Sequence, residues 1–470
     1  MAICLLPTAS ARSDTIVLKN GRRITALSVT QDGERITYET PSGTLTLPRS
    51  IVDHIEHGAL PSLGVAASAS TLTLKPPETE AAPAALPPSR NEIENRVLQN
   101  GDVDRSYVDQ LDQEARSGQG LANQNAAMAH HAASQFEMLH GAMDAALEDA
   151  RSALTYMPEQ PVLLMNAAYL YLRRSEYTQS LDYIDRARRL VPEDPEVPKL
   201  AGWAFYGLNK LDLAVAEWKH ALSLRPDAEV EAALKKAQRD KAEEEQYKEN
   251  ESSHFMLRYS GASDPSLARG VLHTLERHYG AIEAELNYSP PDSIGVILYT
   301  QQAFADITQV PNWVGALNDG RIRVPVQGLS DVTPELSRVL KHELTHSFVQ
   351  QKTLGHAPTW IQEGLAQWME GKRSDVNAAA LVAMYQSDPE LGLKHYQGDW
   401  MKFSNETASA AYAWALANVE YIVQSGGMND VDRILDRLAT GEAPEAALKA
   451  VLRCDYSDLT HDTVQYLRRK

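Results

Sequence analysis

The chain reads as multidomain: a small all-β module at the N-terminus, an all-α repeat solenoid in the middle, and an α+β domain at the C-terminus. Three observations predict this. Apolar and polar residues alternate at period two through residues 14–57, prolines recur at a fixed step in the middle third, and strand-like and helix-like stretches alternate beyond residue 251. At 470 residues the chain is longer than one core accommodates, and about three modules are expected. The formal charge of -18 argues against a nucleic-acid partner, whose phosphates are met by clustered Lys and Arg. No apolar run reaches the length of a membrane span, so none is expected.

The first 13 residues read as the remnant of a signal peptide. Ala2 to Leu6 form a short apolar segment, and Ala9-Ser10-Ala11 reads as a small-x-small cleavage site. The expectation is an exported protein, periplasmic or associated with the cell envelope, with a cytoplasmic protein as the alternative. Two cysteines, Cys4 and Cys454, form no disulfide framework and do not choose between these compartments. Residues 14–57 place Asn20-Gly21, Asp32-Gly33 and Ser42-Gly43 between alternating runs, which predicts hairpins of a β-barrel-like module. Residues 58–92 are rich in Ala, Pro and Ser and read as a linker.

Residues 93–250 turn helical. Pro158, Pro192 and Pro226 stand at steps of 34 residues, as do Ala153, Ala187 and Ala221. These units resemble tetratricopeptide repeats, about three of them between residues 125 and 226, although Ser175 and Asn209 replace the usual turn glycine. The resemblance implies stacked helix pairs that bind a protein partner or the substrate chain. The charged stretch 235–250 is expected to be a solvated helix that caps the stack.

In residues 251–470, "HFMLRYS" and "SIGVILYT" read as strands with a helix between them. "GRIRVPVQG", 320–328, reads as an edge strand, because Pro325 cannot donate to a ladder. Thr333-Pro334-Glu335 is a helix start, with a capping hydroxyl, proline at the first position and an acid in the first turn. In that helix Leu336, Leu340, Leu344 and Phe348 form an apolar stripe. His342 and His346 share another face with Val339 and Val349, so two faces are buried. Imidazoles four residues apart project from successive turns and reach one zinc ion, while Glu343 is turned away from the ligand direction and is placed to act as general base on a water. A catalytic zinc needs a third protein ligand. "APTWIQEGLAQWMEG" supplies Glu363, with Thr359 and Gln362 as an expected capping box and Gly371 as the helix stop.

"HELTH" followed by "WIQEGLAQW" is similar to the gluzincin metallopeptidases, particularly the peptidase MA-like domains joined to tetratricopeptide repeats. The resemblance runs from about residue 252 to 465 and includes "PNWVGALNDGRIRVPV" and "AYAWALANVEYIV". It implies a zinc metallopeptidase domain over 251–470, with one Zn2+ on His342, His346 and Glu363, Glu343 as base, and a peptide or protein substrate. It further implies that Tyr412 steadies the oxyanion. Family members often orient a histidine with an acid on the ligand-bearing helix. Gln367 stands one turn from Glu363 here, which leaves that partner unassigned. His356 is read as a loop or substrate-side histidine, and His273, His278 and His395 as ordinary. The alternative function is a non-catalytic repeat scaffold with a structural or vestigial zinc site.

Overall fold

The computed structural model of the protein describes residues 14–19, 23–26, 28–33, 35–40, 43–57, 75–77, 90–99, 101–118, 121–260, 265–299, 317–318, 320–326, 329–397, 400, 403 and 405–470. The expected signal-peptide remnant and nearly all of the linker lie outside them.

Two three-stranded antiparallel sheets come first. β1 (Asp14–Leu18) lies between β2 (Arg23–Ala26) and β6 (Val52–His57), and β4 (Arg35–Thr40) lies between β3 (Ser28–Asp32) and β5 (Gly43–Pro48). Ile16, Ile36 and Val52 are their shared core. Gly33, with φ +57°, makes the tight turn between β3 and β4 that its lack of a Cβ permits.

Helix α1 (Arg90–Val97) leads through the short pair β7 (Leu98–Gln99) and β8 (Asp102–Val103) to α2 (Arg105–Arg116). Then α3 (Ala122–Leu139) packs on α4 (Met143–Tyr156), α5 (Pro161–Arg173) on α6 (Tyr177–Leu190), and α7 (Glu196–Gly207) on α8 (Leu211–Leu224). The turns within the three pairs hold Gly141, Ser175 and Asn209, 34 residues apart in sequence, at φ +82°, +58° and +58°. Ser and Asn thus adopt the left-handed backbone for which glycine is the easier choice. Ala146, Ser180 and Ala214, five residues after these turns, are buried at the helix contacts, where nothing larger is needed.

Helix α9 (Ala228–Glu244) corrects the expectation for 235–250. Asp240 and Glu244 are buried, and Lys248–Glu251 is not helix but strand β9. A five-stranded sheet follows in the order β12-β13-β11-β10-β9, formed with β10 (Phe255–Tyr259), β11 (Ile294–Tyr299), β12 (Leu317–Asn318) and β13 (Arg321–Pro325). The three middle strands are parallel, joined first by α10 (Pro265–Leu286). The predicted edge strand is therefore one place in from the edge. Leu317 and Asn318 pair antiparallel with Arg323 and Ile322, ahead of the position where Pro325 withholds its donor.

One sheet face, with Leu257, Val296, Ile322 and Val324, packs on α10 and on α11 (Pro334–Lys352). The rest of this core comes from α12 (Thr359–Met369), α13 (Ala378–Ser387), α14 (Asn405–Gly426), α15 (Met428–Ala439), α16 (Pro444–Leu452) and α17 (Tyr456–Leu467). The opposite face carries Arg321 and Arg323, each 1% exposed, against α9. Arg321 donates to Asp240 (2.7 Å), Glu244 (3.1 Å) and the Asn209 side chain (2.6 Å); Arg323 donates to Asp240 (2.9 Å) and to the hydroxyls of Tyr299 (2.6 Å) and Tyr206 (3.3 Å). The within-pair turns meet the C-terminal part elsewhere too. Thr178 bonds Asp292, and a Cβ on Gly141 would sit 2.9 Å from Gly441 Cα. Among the described residues, no helix is long and apolar enough to cross a membrane.

Candidate metal centre

Helix α11 begins as its sequence dictates: Thr333 caps it by accepting the Leu336 N–H at 3.1 Å, with Pro334 at the first position. Leu336, Leu340, Leu344 and Phe348 lie in the core, and His342, Glu343 and His346 are buried on the other side. Helix α12 starts one residue earlier than the expected capping box requires. Pro358 is its N-cap and makes no side-chain cap bond, so Thr359 is already inside the helix. Gln362, freed from capping, is buried and accepts from His346 Nδ1 at 3.4 Å. Gly371, with φ +100°, follows the helix end as expected. Gly364 lets α14 come close, since a Cβ there would strike the Ala415 carbonyl oxygen and the Val419 side chain.

These packings bring His342, His346 and Glu363 to one point. The two Nε2 atoms are 3.1 Å apart, and Glu363 Oε2 lies 3.6 Å from the first and 3.7 Å from the second. A tetrahedral ion with bonds near 2.1 Å has ligand-to-ligand edges of about 3.4 Å, so this triangle has the size of such a shell. Two imidazole nitrogens and one carboxylate oxygen are also the donor set of catalytic zinc. The hydrogen-bond accounting agrees. Glu363 Oε2 and Glu343 Oε2 are both buried without a partner, a cost that a cation would remove. Among the described residues this is the one group of His, Cys, Asp or Glu side chains with the spacing to hold a metal.

Each imidazole is held by its other nitrogen. His342 Nδ1 meets Glu370 Oε1 at 3.2 Å, and Glu370 also pairs with Lys372 at 2.8 Å. Glu370 is thus the orienting acid, seven residues or two turns beyond Glu363, while Gln367 donates instead to the backbone carbonyls of Glu363 and Tyr412, each at 3.1 Å. Such partners fix the ring and its tautomer. Tyr412, on α14, packs edge-on against Trp400.

Without a cation the centre titrates unusually. Burial would lower His342, but the hydrogen bonds and charges of Glu363 and Glu370 outweigh it and raise the group to about 10. Burial drives Glu343 up to about 8 against the pull of His342, with the charges of Glu363 and Glu370 adding to the rise, and burial takes His346 down to about 4. Tyr412 is raised by burial and then by the Glu363 and Glu343 carboxylates.

The other histidines lie elsewhere. His356 Nδ1 bonds the Leu438 carbonyl at 3.0 Å beside Gly141, which makes it a contact with the helical repeats rather than a residue of this site. His278 meets Ser337 at 2.9 Å. Sequence reasoning missed Glu370, Gln362 and also Asn318, whose amide reaches the Glu343 carbonyl (2.8 Å) and the Ser347 hydroxyl (2.7 Å).

No curated protein matches the chain. Residues 289–468, less than half of the chain but including α11, α12 and α14, match the model of the Peptidase MA superfamily, which supports a peptidase-like domain of that superfamily around this centre.

Proposed function

We propose that residues 251–470 form a zinc-dependent peptidase of the gluzincin type, exported to the periplasm or cell envelope. In this reading the helices of 93–250 are tetratricopeptide-type repeats that recruit a substrate or protein partner, and residues 14–57 are a barrel-like module. The observation that carries it is the convergence of His342, His346 and Glu363 on one point, beside a Glu343 oxygen that is buried and unpartnered. A bound zinc ion supplies Lewis acidity, which polarises a peptide carbonyl and acidifies a water molecule. Glu343 takes the proton of that water and returns it to the leaving amine. Tyr412, close enough to Glu363 and Glu343 for both carboxylates to raise its hydroxyl, donates to the carbonyl oxygen as charge develops there. An extended peptide lies along the β12 side of the sheet, pairing with its backbone.

The test is zinc content and hydrolysis of an unstructured peptide by wild type and Glu343→Gln. Stoichiometric zinc in both, with turnover in wild type alone, is the expected result. Zinc in both with no turnover in either assigns the centre to a structural role and the function to the helical repeats.

A further inference from the structure

The β12–β13 hairpin touches both the metal centre and the helical repeats. On β12, Asn318 Oδ1 accepts the Gly320 N–H at 3.2 Å. This fixes which end of the amide is oxygen and turns Nδ2 toward α11, where it donates to the Glu343 carbonyl and the Ser347 hydroxyl. That carbonyl belongs to the residue proposed as base and lies on the turn between the two histidines. Within five residues of Asn318, Arg321 and Arg323 on β13 are buried on Asp240 and Glu244 of α9. Gly320, with φ +95°, makes the reversal between them.

We propose that Asn318 is a positioning residue for Glu343, and that Arg321 and Arg323 set its place by locking the hairpin to α9. The helical repeats then hold one wall of the reaction centre as well as recruiting. The inference rests on the peptidase reading for its kinetic consequence but not for its structural one. Two bonds from one amide to one helical turn fix the spacing between the strand edge, where an extended substrate pairs, and the base. Loss of those bonds alters the attack geometry more than substrate affinity. The arginines matter because, among the described residues, the two-residue β12 pairs with β13 alone, so its position follows that of β13.

The experiment compares Asn318→Asp, Asn318→Ser, Arg323→Met and the double variant Asn318→Asp/Arg323→Met in the full chain. Aspartate keeps the size but has no donor to offer the carbonyl, whereas serine keeps a donor. Expected for Asn318→Asp is a kcat lowered about tenfold with KM changed less than twofold and zinc retained, a smaller loss for Asn318→Ser, and a double variant no worse than the worse of its two single variants. Amide hydrogen exchange over residues 342–348 is the readout that needs no activity. It should speed up in Asn318→Asp and in Arg323→Met alike. If Asn318→Asp leaves both kcat and that exchange as in wild type, the positioning role is overturned; if Arg323→Met leaves the exchange unchanged, the link to the repeats is overturned. Should wild type itself turn over no peptide while holding zinc, the peptidase reading falls, and the exchange data still decide the positioning.

Discussion

Two clusters of buried charge lie on the two sides of the C-terminal sheet and differ in how completely they are paired. Between α9 and β13, two acids face two arginines, and neither Asp240 nor Glu244 keeps a buried oxygen without a hydrogen bond; the unpaired atoms there are Arg321 Nε and Asn209 Nδ2. Around His342, three acids, Glu343, Glu363 and Glu370, surround two histidines, and two carboxylate oxygens are left without partners. In the first cluster every buried carboxylate oxygen is answered by protein donors, and it works as a joint. The second is complete only when something positive and small is added, and this difference separates structure from chemistry without reference to any motif.

The largest way to break that contrast is at the base. Glu343→Gln should lower peptide hydrolysis by about 10² to 10⁴ while zinc stays bound, because the proton acceptor goes and the ligands remain. His346→Ala in the same assay should lose zinc together with activity. Retained hydrolysis in Glu343→Gln would remove the distinction drawn for the second cluster.

Next in size is the joint. Asp240→Ala leaves two buried guanidiniums with one acid, and unfolding by urea should show a loss of about 3 to 5 kcal/mol at unchanged zinc stoichiometry. A loss below about 1 kcal/mol would mean that water reaches the arginines.

A smaller effect is expected at Glu370→Gln, where the His342 ring loses its charged partner. Zinc affinity should fall by about 10- to 100-fold in a competitive chelator titration. No change there would leave Glu370 as a partner of Lys372 alone.

The smallest effect is a slope. In chelator-treated protein, Glu343 keeps its proton up to about pH 8, whereas an ordinary glutamate releases it near 4.5. The folded state then binds more protons than the unfolded one in that window, so this contribution is fully present below pH 4.5 and is lost as pH rises toward 8. His342 acts with the same sign from 6.5 to about 10, and His346 with the opposite sign between about 4 and 6.5. Both histidines remain in Glu343→Gln, so the metal-free variant should gain in urea midpoint over metal-free wild type progressively from pH 5 to 8. Parallel curves would sink the assignment of Glu343 as a buried acid.

The candidate metal centre was legible in the sequence because helical periodicity alone sets His342, Glu343 and His346 on their faces, and because an apolar helix nearby offers one glutamate inside its first turns. Glu370 was not, since it lies two turns beyond Glu363, at the helix end, where a side chain's direction depends on the last turn. The Gln362 contact was hidden by a helix that starts one residue early. The joint was hidden more deeply. "KKAQRDKAEEE" has the composition of a solvated helix, and what buries Asp240 and Glu244 is a pair of arginines some 80 residues away. The sign available in "RIRVP" was that its alternate positions are arginines, on a strand whose order in the sheet a single sequence does not give.

That joint also constrains inheritance. A rearrangement of the gene that carried residues 251–470 into another protein would move Arg321 and Arg323 without Asp240 and Glu244, and would cut β9 at its last residue. Positions 240, 244, 321 and 323 are tied across the apparent module boundary by these ion pairs. A change of sign at one is tolerated only with an answering change at another. The chain that looks like beads on a string is, at this seam, a single heritable unit.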